Sequence, residues 1–269
     1  MTEVAAAKPL VIAHRGASAD APENTLASFR LAMEQGCDAI ELDVHVSADD
    51  ELVVCHDETL ERTTDGTGRI ADMTVAELKR FDAGAWFGEE YRGERLPLLK
   101  EVLELVPPHI QLNVEIKSFR HPRVERLVVD LLERTGRTGS VFLSSFGHEC
   151  MVRCKRLAPS LRVGLLYEEE EWFDFEAFEA ISGISLYSLH MYHGILNKDF
   201  AAKALRRGIQ VYPWTIDDPR LMLEARQAGA TGIITNRPGL LRRLLDGDNG
   251  PDDVRTAPLG PDPEQTNGA

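Results

Sequence analysis

Short apolar segments alternate with longer amphipathic ones along most of the chain. Nine of the apolar segments have the length and residue types of buried β-strands. They lie at residues 11–14, 39–43, 52–56, 111–116, 140–145, 161–166, 183–188, 209–214 and 232–235. An alternation of strands and helices predicts an α/β fold in which parallel strands are joined by right-handed crossovers.

Between most of these strands, apolar residues recur with the spacing of an amphipathic helix. The first helix is predicted to begin near Asn24, a suitable N-cap, and to end at Gly36. It carries Leu26, Phe29 and Met33 on one face. Further helices are predicted at residues 124–134, 149–157, 198–207 and 220–228.

The segment at 52–56 breaks the alternation. Only residues 44 to 51 separate it from the preceding strand, whereas a parallel crossover needs about a dozen residues or more. We therefore predict that it returns antiparallel as the arm of a hairpin, and that the other eight strands close a TIM-type (β/α)8 barrel. Residues from about 57 to 100 then form a small insertion after the second barrel strand. The barrel domain is expected to span 9–245, between an extension at 1–8 and a disordered tail at 246–269.

The alternative architecture is an open, doubly wound sheet. Such a sheet would bring a glycine-rich turn after the first strand, with three glycines to bind a dinucleotide. The corresponding segment, HRGASAD, has one glycine. This difference and the strand count both favour the barrel.

Composition adds constraints on partners and location. The 269 residues are 43% hydrophobic and 28% charged, as in an ordinary globular protein. The net charge of −14 argues against a nucleic-acid partner, although local cations can still bind an anion. We find no export signal and no apolar run of about 18 residues, and the acidic run at 168–171 would be repelled by anionic membranes. We expect a cytoplasmic protein without stable membrane association, and the sequence leaves its oligomeric state open.

The four cysteines are expected to be reduced thiols, because a chain of this size does not depend on disulfides. Cys150 and Cys154 lie near His148, but no fourth ligand stands at a spacing typical of a zinc site. We interpret the pair as small core residues one helical turn apart.

Ionisable residues gather at the ends of three predicted strands, where packing alone does not explain them. Glu41 and Asp43 are two residues apart and so share a face of their strand, and Glu115 ends the next barrel strand. Three hard oxygen donors predict one divalent cation, Mg²⁺ or Ca²⁺, at the mouth of the barrel. The competing interpretation is that these carboxylates merely pair with Arg15 and Lys117.

His14 and His56 each close an apolar run beside these carboxylates. Histidine has an unperturbed pKa of about 6.5, which suits it to give and to take a proton near neutral pH. Arg15 offers a planar fork for a phosphate, and Lys117 shares a strand face with Glu115. A metal, two cations and two acid/base histidines together predict phosphoryl transfer.

Eight short motifs occur in a fixed order along the chain. They are HRGA at 14–17, PENT at 22–25, ELDV at 41–44, HD at 56–57, RTTDGTG at 62–68, EIK at 115–117, WTI at 214–216 and ITNRP at 234–238. Together they resemble the glycerophosphodiester phosphodiesterase family, over residues 10 to 244. The resemblance implies hydrolysis of small glycerophosphodiesters to glycerol 3-phosphate and an alcohol, on a TIM-type barrel with an insertion after its second strand.

The resemblance also implies residue roles, in three groups: a divalent-cation site at Glu41, Asp43 and Glu115, an acid/base pair at His14 and His56, and substrate binding by Arg15, Lys117 and Trp214. In the expected mechanism a glycerol 2-hydroxyl or a water attacks phosphorus while one histidine takes its proton and the other protonates the leaving alkoxide. We begin with His56 as the base and His14 as the acid, an assignment that the sequence does not decide.

The chain departs from the family pattern at four peripheral positions. Asp65, Leu98, Asp217 and Asn236 stand where the family often has Asn, Thr, Asn and Asp. The first three bear on substrate preference. Asn236 is expected to cap the last helix, as an Asp would.

Several alternatives stay open. A lipid-acting phospholipase of C or D type on the same barrel would show an apolar rim or a basic surface. A non-catalytic binding module would have lost a metal or histidine position, and none is lost. Trp214 is either a core aromatic or a pocket wall, and its position at a strand end favours the pocket. The insertion aromatics Trp86, Phe87 and Tyr91 either form an apolar lid or close the insertion's own core.

Overall fold

The computed structural model describes residues 8–168 and 174–247. Strands form an inner layer and helices an outer layer. The strands are β1 (Leu10–His14), β2 (Ala39–Val46), β3 (Leu52–Val54), β4 (Gln111–Ile116), β5 (Val141–Ser145), β6 (Arg162–Tyr167), β7 (Ser188–Tyr192), β8 (Gln210–Trp214) and β9 (Gly232–Thr235). The helices are α1 (Leu26–Glu34), α2 (Val75–Leu78), α3 (Leu99–Leu105), α4 (Val124–Arg134), α5 (His148–Leu157), α6 (Phe175–Ser182), α7 (Lys198–Arg206), α8 (Pro219–Ala228) and α9 (Pro238–Asp246).

Eight of the strands are parallel and follow the order β8-β7-β6-β5-β4-β2-β1-β9. The first and last of these meet where Thr231 N donates to Val211 O over 2.9 Å and Ile216 N donates to Ile234 O over 3.0 Å, so the barrel is nearly closed. The remaining strand, β3, pairs antiparallel with β2. The predicted TIM barrel and the predicted hairpin are therefore both confirmed.

Successive strand residues face opposite sides of the barrel wall. On one side, residues such as Ile40 and Leu42 of β2 pack in the large core beneath the helices. On the other side, the inward residues form a separate apolar cluster: Ile12, Ala39, Phe142, Tyr212 and Ile234. Because the period is two, the next inward positions toward the carboxyl ends of β1 and β2 are His14 and Glu41.

The sixth barrel strand, β7, lies further along the chain than its hydrophobic pattern predicts. The apolar run at 183–188 predicts a strand there, but the strand occupies Ser188–Tyr192. Gly183 has a φ of 72° and ends α6, and the following Leu186 is buried against the core from a loop. The apolar run therefore reflects burial rather than strand pairing, and His190 occupies an inward position of the strand.

The N-cap of the first helix is Thr25, not Asn24 as predicted. Ser28 N donates to Thr25 Oγ1 over 3.2 Å, and Thr25 N donates in return to Ser28 Oγ over 3.4 Å. Asn24 instead adopts a left-handed conformation with φ 57°, which Asn tolerates better than most residues. Its Nδ2 donates to Asp43 Oδ2 over 2.9 Å, so Asn24 supports the predicted site rather than the helix.

The segment after β3 packs around a small core that it shares with Val53 of that strand. The core is formed by Val53, Cys55, Leu60, Ile70, Leu78, Ala83, Leu96 and Leu98. Beside it, Trp86, Phe87 and Tyr91 contact each other edge to face, with ring centroids 5.7 and 5.6 Å apart. Tyr91 Oη donates to Asp20 O over 2.8 Å. The insertion aromatics therefore connect this segment to the loop after β1.

Helix α9 is the last element of the barrel domain within the described residues. Asp246, where the tail is predicted to begin, is its last residue, and Gly247 ends it with a φ of 83°. The rest of the predicted tail, the extension apart from Lys8, and residues 169–171 of the acidic run lie outside the described residues. Within the described residues, every helix is too short or too polar to cross a membrane. The four cysteines are buried free thiols.

Candidate active site

A cavity of about 700 Å³ opens at the carboxyl ends of the barrel strands, where TIM barrels carry their active sites. Seven of the eight predicted site residues line it. The eighth, Asp43, is 1% exposed and contacts two of the others. The lining residues are His14, Arg15, Glu41, His56, Asp57, Arg62, Asn113, Glu115, Lys117, Phe146, Leu166, Glu168, His190, Tyr192, Trp214 and Ile234.

The three predicted metal ligands converge at the floor of this cavity. Glu41 and Asp43 project to the same side of β2, and Asp43 pairs in register with Glu115 on β4. One ligand oxygen from each residue lies within 4.8 Å of the others, and all three residues are buried. Within the described residues, these carboxylates form the one group of three or more such side chains at metal-binding spacing.

Burial and mutual repulsion control the protonation of this carboxylate cluster. Burial, followed by the charges of Asp43 and Glu115, raises the pKa of Glu41 well above its usual value. Burial also raises the pKa of Glu115, against the attraction of Lys117. Burial alone would raise the pKa of Asp43, but Lys117 and Arg15 outweigh it and lower that pKa. The protein's own cations therefore satisfy Asp43 but leave Glu41 short of positive charge.

Arg15 and Lys117 both contact the carboxylate cluster. Lys117 Nζ lies 2.8 Å from Glu115 Oε1 and 3.4 Å from Asp43 Oδ1, and Arg15 Nε lies 3.4 Å from Asp43 Oδ2. The pairing offered above as a competing interpretation therefore exists. In this pairing only two cations face three carboxyl groups. The carboxyl groups therefore still outnumber the cations, and the pairing is compatible with a metal site.

The donor set fits a hard divalent cation. Three carboxylates supply oxygen ligands of the kind that Mg²⁺ and Ca²⁺ prefer. The raised pKa of Glu41 indicates that the ionised cluster needs more positive charge than its neighbours supply. Glu41, Asp43 and Glu115 could therefore hold a metal ion.

The turn after β1 aims Arg15 at this cluster. Arg15 has a left-handed φ of 55°, and its backbone N donates to Glu41 Oε2 over 3.0 Å. Gly16 follows with a φ of 89°, and a Cβ at this position would overlap the side chain of Ser28. The glycine of the HRGA motif is therefore required by the turn that places both the backbone and the side chain of Arg15 in the site.

His14 reaches the site from the end of β1. Its Nε2 lies 4.0 Å from Glu41 Oε2, and its Nδ1 lies 2.7 Å from Asn236 Oδ1. Burial, with the nearby charge of Arg15, lowers the pKa of His14 to about 3. The imidazole is therefore neutral at neutral pH. Asn236 was expected to cap α9, but that N-cap is Arg237, and the Asn236 side chain contacts His14 instead.

His56 also lines the cavity, at the end of a chain of ion pairs. Its Nδ1 lies 2.6 Å from Asp57 Oδ1, and Asp57 Oδ2 accepts from Arg62 Nε over 2.7 Å. Arg62 also donates to Glu23 through two hydrogen bonds of 2.8 Å, and Glu23 pairs with Arg15 over 3.0 Å. A single network therefore joins one predicted catalytic histidine to the predicted phosphate-binding arginine.

Trp214 lies on the apolar side of the cavity, between two other aromatic rings. Its centroid is 6.0 Å from that of Phe146 and 6.2 Å from that of Tyr192, both in edge-to-face geometry. Phe146 is 39% exposed and Tyr192 is 44% exposed. Trp214 is thus a pocket wall, and its two aromatic neighbours form part of the rim.

Sequence reasoning missed several residues of the site. Glu23, Asn24, Asp57 and Arg62 all fall within the quoted motifs, so a signal was present, but their roles depend on contacts between distant segments. His190 was missed because strand β7 lies further along the chain than predicted. Phe146, Asn113 and Tyr192 had no local signal beyond their position near strand ends.

Comparisons with known proteins agree with this geometry. Residues 14–240 match the model of the "Glycerophosphoryl diester phosphodiesterase family". A glycerophosphodiester phosphodiesterase of Caldanaerobacter subterraneus is 41% identical over 244 residues, which cover 88% of this chain and 98% of that protein. A phosphodiesterase of Oleispira antarctica, solved in complex with the product sn-glycerol-3-phosphate, has a TM-score of 0.82 and 32% identity, with 88% and 97% of the two chains covered.

A third relative extends the agreement. The crystal structure of a glycerophosphodiester phosphodiesterase from Agrobacterium tumefaciens has a TM-score of 0.75 and 30% identity, and the match covers 87% of this chain and 98% of that one. Fold, cavity and relatives define the class of protein as a phosphodiester hydrolase on a TIM barrel. More specifically, the chain belongs to the glycerophosphoryl diester phosphodiesterase family.

Proposed function

We propose that this protein is a divalent-cation-dependent hydrolase that cleaves small glycerophosphodiesters to glycerol 3-phosphate and an alcohol. The observation that carries the proposal is the buried cluster of Glu41, Asp43 and Glu115, with two cations and two histidines around one cavity. The product-bound Oleispira antarctica relative supports the glycerol 3-phosphate half of the substrate. The four buried free thiols support a cytoplasmic location.

Arg15 and Lys117 bind the phosphate in this proposal. Both reach the cavity and both are held by carboxylates, so their positions are set before substrate arrives. Glu41, Asp43 and Glu115 would hold a divalent cation, which would supply further positive charge near the phosphate and so favour the transition state. Trp214 forms the apolar wall against which the substrate's carbon atoms pack.

The two histidines carry the protons. Asn236 holds Nδ1 of His14, so Nε2 is the atom positioned to accept the proton of the attacking water or glycerol hydroxyl. His56 then protonates the leaving alkoxide, with its ring held through Nδ1 by Asp57. When the glycerol hydroxyl is the nucleophile, the product of this step is a cyclic phosphate, which a water then opens to glycerol 3-phosphate. This assignment reverses the one with which the sequence analysis began.

The test measures glycerol 3-phosphate release from a panel of glycerophosphodiesters. EDTA should abolish the release, and Mg²⁺ or Ca²⁺ should restore it. Glu115→Gln should require much more metal for half-maximal rate, whereas Glu104→Gln, on an exposed position of α3, should behave as wild type. Activity that is indifferent to EDTA would remove the carboxylates from the mechanism.

A second candidate function is hydrolysis of lysophospholipids. The exposed Phe146 and Tyr192 at the cavity rim favour it, because an apolar rim suits an acyl chain. The net charge of −14 disfavours binding to anionic lipid surfaces. A rate that rises sharply at the critical micelle concentration of the lipid would support this candidate over the soluble diesters.

A further inference from the structure

Two polar residues behind His14 face each other across the end of the barrel. Asp217 follows β8 and Asn236 follows β9. Asn236 Nδ2 donates to Asp217 Oδ2 over 2.7 Å, and Asn236 N donates to Asp217 Oδ1 over 2.8 Å. Thr235 Oγ1 also donates to Asp217 Oδ1, over 2.9 Å. The Asp217 carboxylate is therefore held by three donors from two adjacent residues at the end of β9.

This arrangement determines which atom Asn236 presents to His14. A carboxylate oxygen only accepts hydrogen bonds, so the amide nitrogen of Asn236 must point at Asp217. The amide oxygen must then point the other way, where it lies 2.7 Å from His14 Nδ1 and 2.7 Å from Ser18 Oγ. Rotation of the amide by 180° would place two oxygens together on the Asp217 side.

The amide oxygen in turn determines the tautomer of His14. A carbonyl oxygen is an acceptor, so Nδ1 of His14 must carry the hydrogen. In the neutral ring the lone pair then lies on Nε2, the nitrogen on the side of Glu41. The alternative tautomer would turn the lone pair of Nδ1 toward the Asn236 oxygen. Because only 14% of the His14 side chain is exposed, water would do little to relieve this repulsion.

We infer that Asp217 and Asn236 are positioning residues that hold His14 in the Nδ1–H tautomer, with Nε2 free to accept a proton. The inference rests on the proposed role of His14 as a proton acceptor. Neither residue needs to touch the substrate, because they act through the imidazole. Loss of the partners that orient a metal-bound imidazole typically lowers activity about 10- to 100-fold, and we expect a similar loss for His14.

The test exchanges the two side chains, separately and together. Asp217→Asn lets the Asn236 amide rotate and present its nitrogen to His14, so kcat should fall about 10- to 100-fold with little change in KM. Asn236→Asp places two carboxylates against each other and should also lower kcat. In the double variant, the new amide at position 217 donates to the new carboxylate at position 236. That carboxylate also accepts from His14, so every hydrogen bond is restored and kcat should recover.

Ser18→Ala serves as the matched control. It removes the other donor near the same oxygen of Asn236 but keeps the contacts of Asn236 with His14 and Asp217. Its kcat should stay close to wild type. A double variant with no more activity than the weaker single variant, although folded by circular dichroism, would overturn the inference.

A direct readout is ¹⁵N NMR of the histidine rings in the metal-free protein, with the His14 signals assigned from His14→Gln. The Nδ1–H tautomer should dominate in wild type and in the double variant, and should lose population in Asp217→Asn. An unchanged tautomer in Asp217→Asn would also overturn the inference. This measurement needs no turnover, so it separates failure of the positioning role from failure of the proposed acid/base mechanism, which an active His14→Ala enzyme would reveal.

Discussion

The inward faces of the barrel strands differ sharply between their middle and their carboxyl ends. In the middle, Ile12, Ala39 and Phe142 build a buried apolar layer. Two residues beyond Ile12 and Ala39, the same strands present His14 and Glu41, whose polar side chains are only 14% and 4% exposed. The alternation and the backbone are the same, so the chemistry of each level is decided by residue choice alone. The middle level packs the barrel interior, and the carboxyl end carries the candidate active site.

The largest expected effect is a loss of activity in variants of the two histidines at the carboxyl ends of the strands. His14→Ala and His56→Ala should each lower kcat about 10²- to 10⁴-fold, because each removes one acid or base. Both should keep a melting temperature near that of wild type. The matched control is His109→Ala, an exposed histidine before β4. A histidine variant that unfolds instead of losing activity would break the division between the two levels.

The next effect tests the middle level. Phe142→Ala should lower the free energy of unfolding by about 3–5 kcal/mol, since it removes a fully buried ring that contacts Tyr187 and Tyr212. Urea titration measures this loss, and Phe142→Leu should show a smaller one. Activity per folded molecule should be nearly unchanged. A loss of activity without a loss of stability would contradict the assignment of this level to packing.

A third prediction asks which charged groups of the carboxyl end also stabilise the fold. Burial raises the pKa of Glu23, but Arg15 and Arg62 outweigh it and bring the pKa to about 2, below its ordinary 4.5. The folded pKa is depressed, so the stabilisation is complete above about pH 4.5 and is lost as the pH falls toward 2, on the order of 3 kcal/mol in total.

Glu23→Gln should therefore be less stable than wild type at pH 7 and should show a flatter loss of stability between about pH 5 and 3. Urea unfolding at several pH values measures both quantities, with exposed Glu104→Gln as the control. Parallel pH dependences for wild type and Glu23→Gln would show that the ion-pair network contributes no stability.

The smallest expected effect is a gain in stability rather than a loss. Burial and its two neighbouring carboxylates disfavour the ionised form of Glu41, so Glu41→Gln should stabilise the protein in EDTA while it abolishes metal-dependent activity. A gain of about 1 kcal/mol corresponds to about 2–4 °C in a domain of this size. With saturating metal the difference should shrink or reverse. A variant destabilised in EDTA would mean that Glu41 is already compensated without a cation.

The sequence was sufficient for features that depend on short-range pattern. The spacing of Glu41 and Asp43 on one strand, and the short gap before 52–56, predicted the carboxylate cluster and the hairpin. It was insufficient where an apolar run does not mean a strand, as at 183–188, which packs from a loop beyond Gly183.

It also failed where a polar residue has two possible partners. Asn24 and Asn236 both stand before helices, where Asn is a favoured cap, and both instead use their side chains on distant site residues. Asn236 and His14 are 222 positions apart, so no local signal links them. Only the closure of the barrel, which brings β1 beside β9, creates that contact.

The ion-pair chain from Arg15 through Glu23 and Arg62 to Asp57 has a consequence for engineering. The segment after β3 has a small core separate from that of the barrel, which suggests that it can be exchanged as a unit. Its first residues, however, hold one end of a partly buried charge network whose other end, Arg15, follows strand β1 of the barrel. A loop graft that begins at residue 57 would remove Asp57 and Arg62 and so leave Glu23 without its Arg62 partner. A graft that begins after Arg62 keeps every ion pair of the network. The usable splice point therefore lies inside the insertion, not at its boundary.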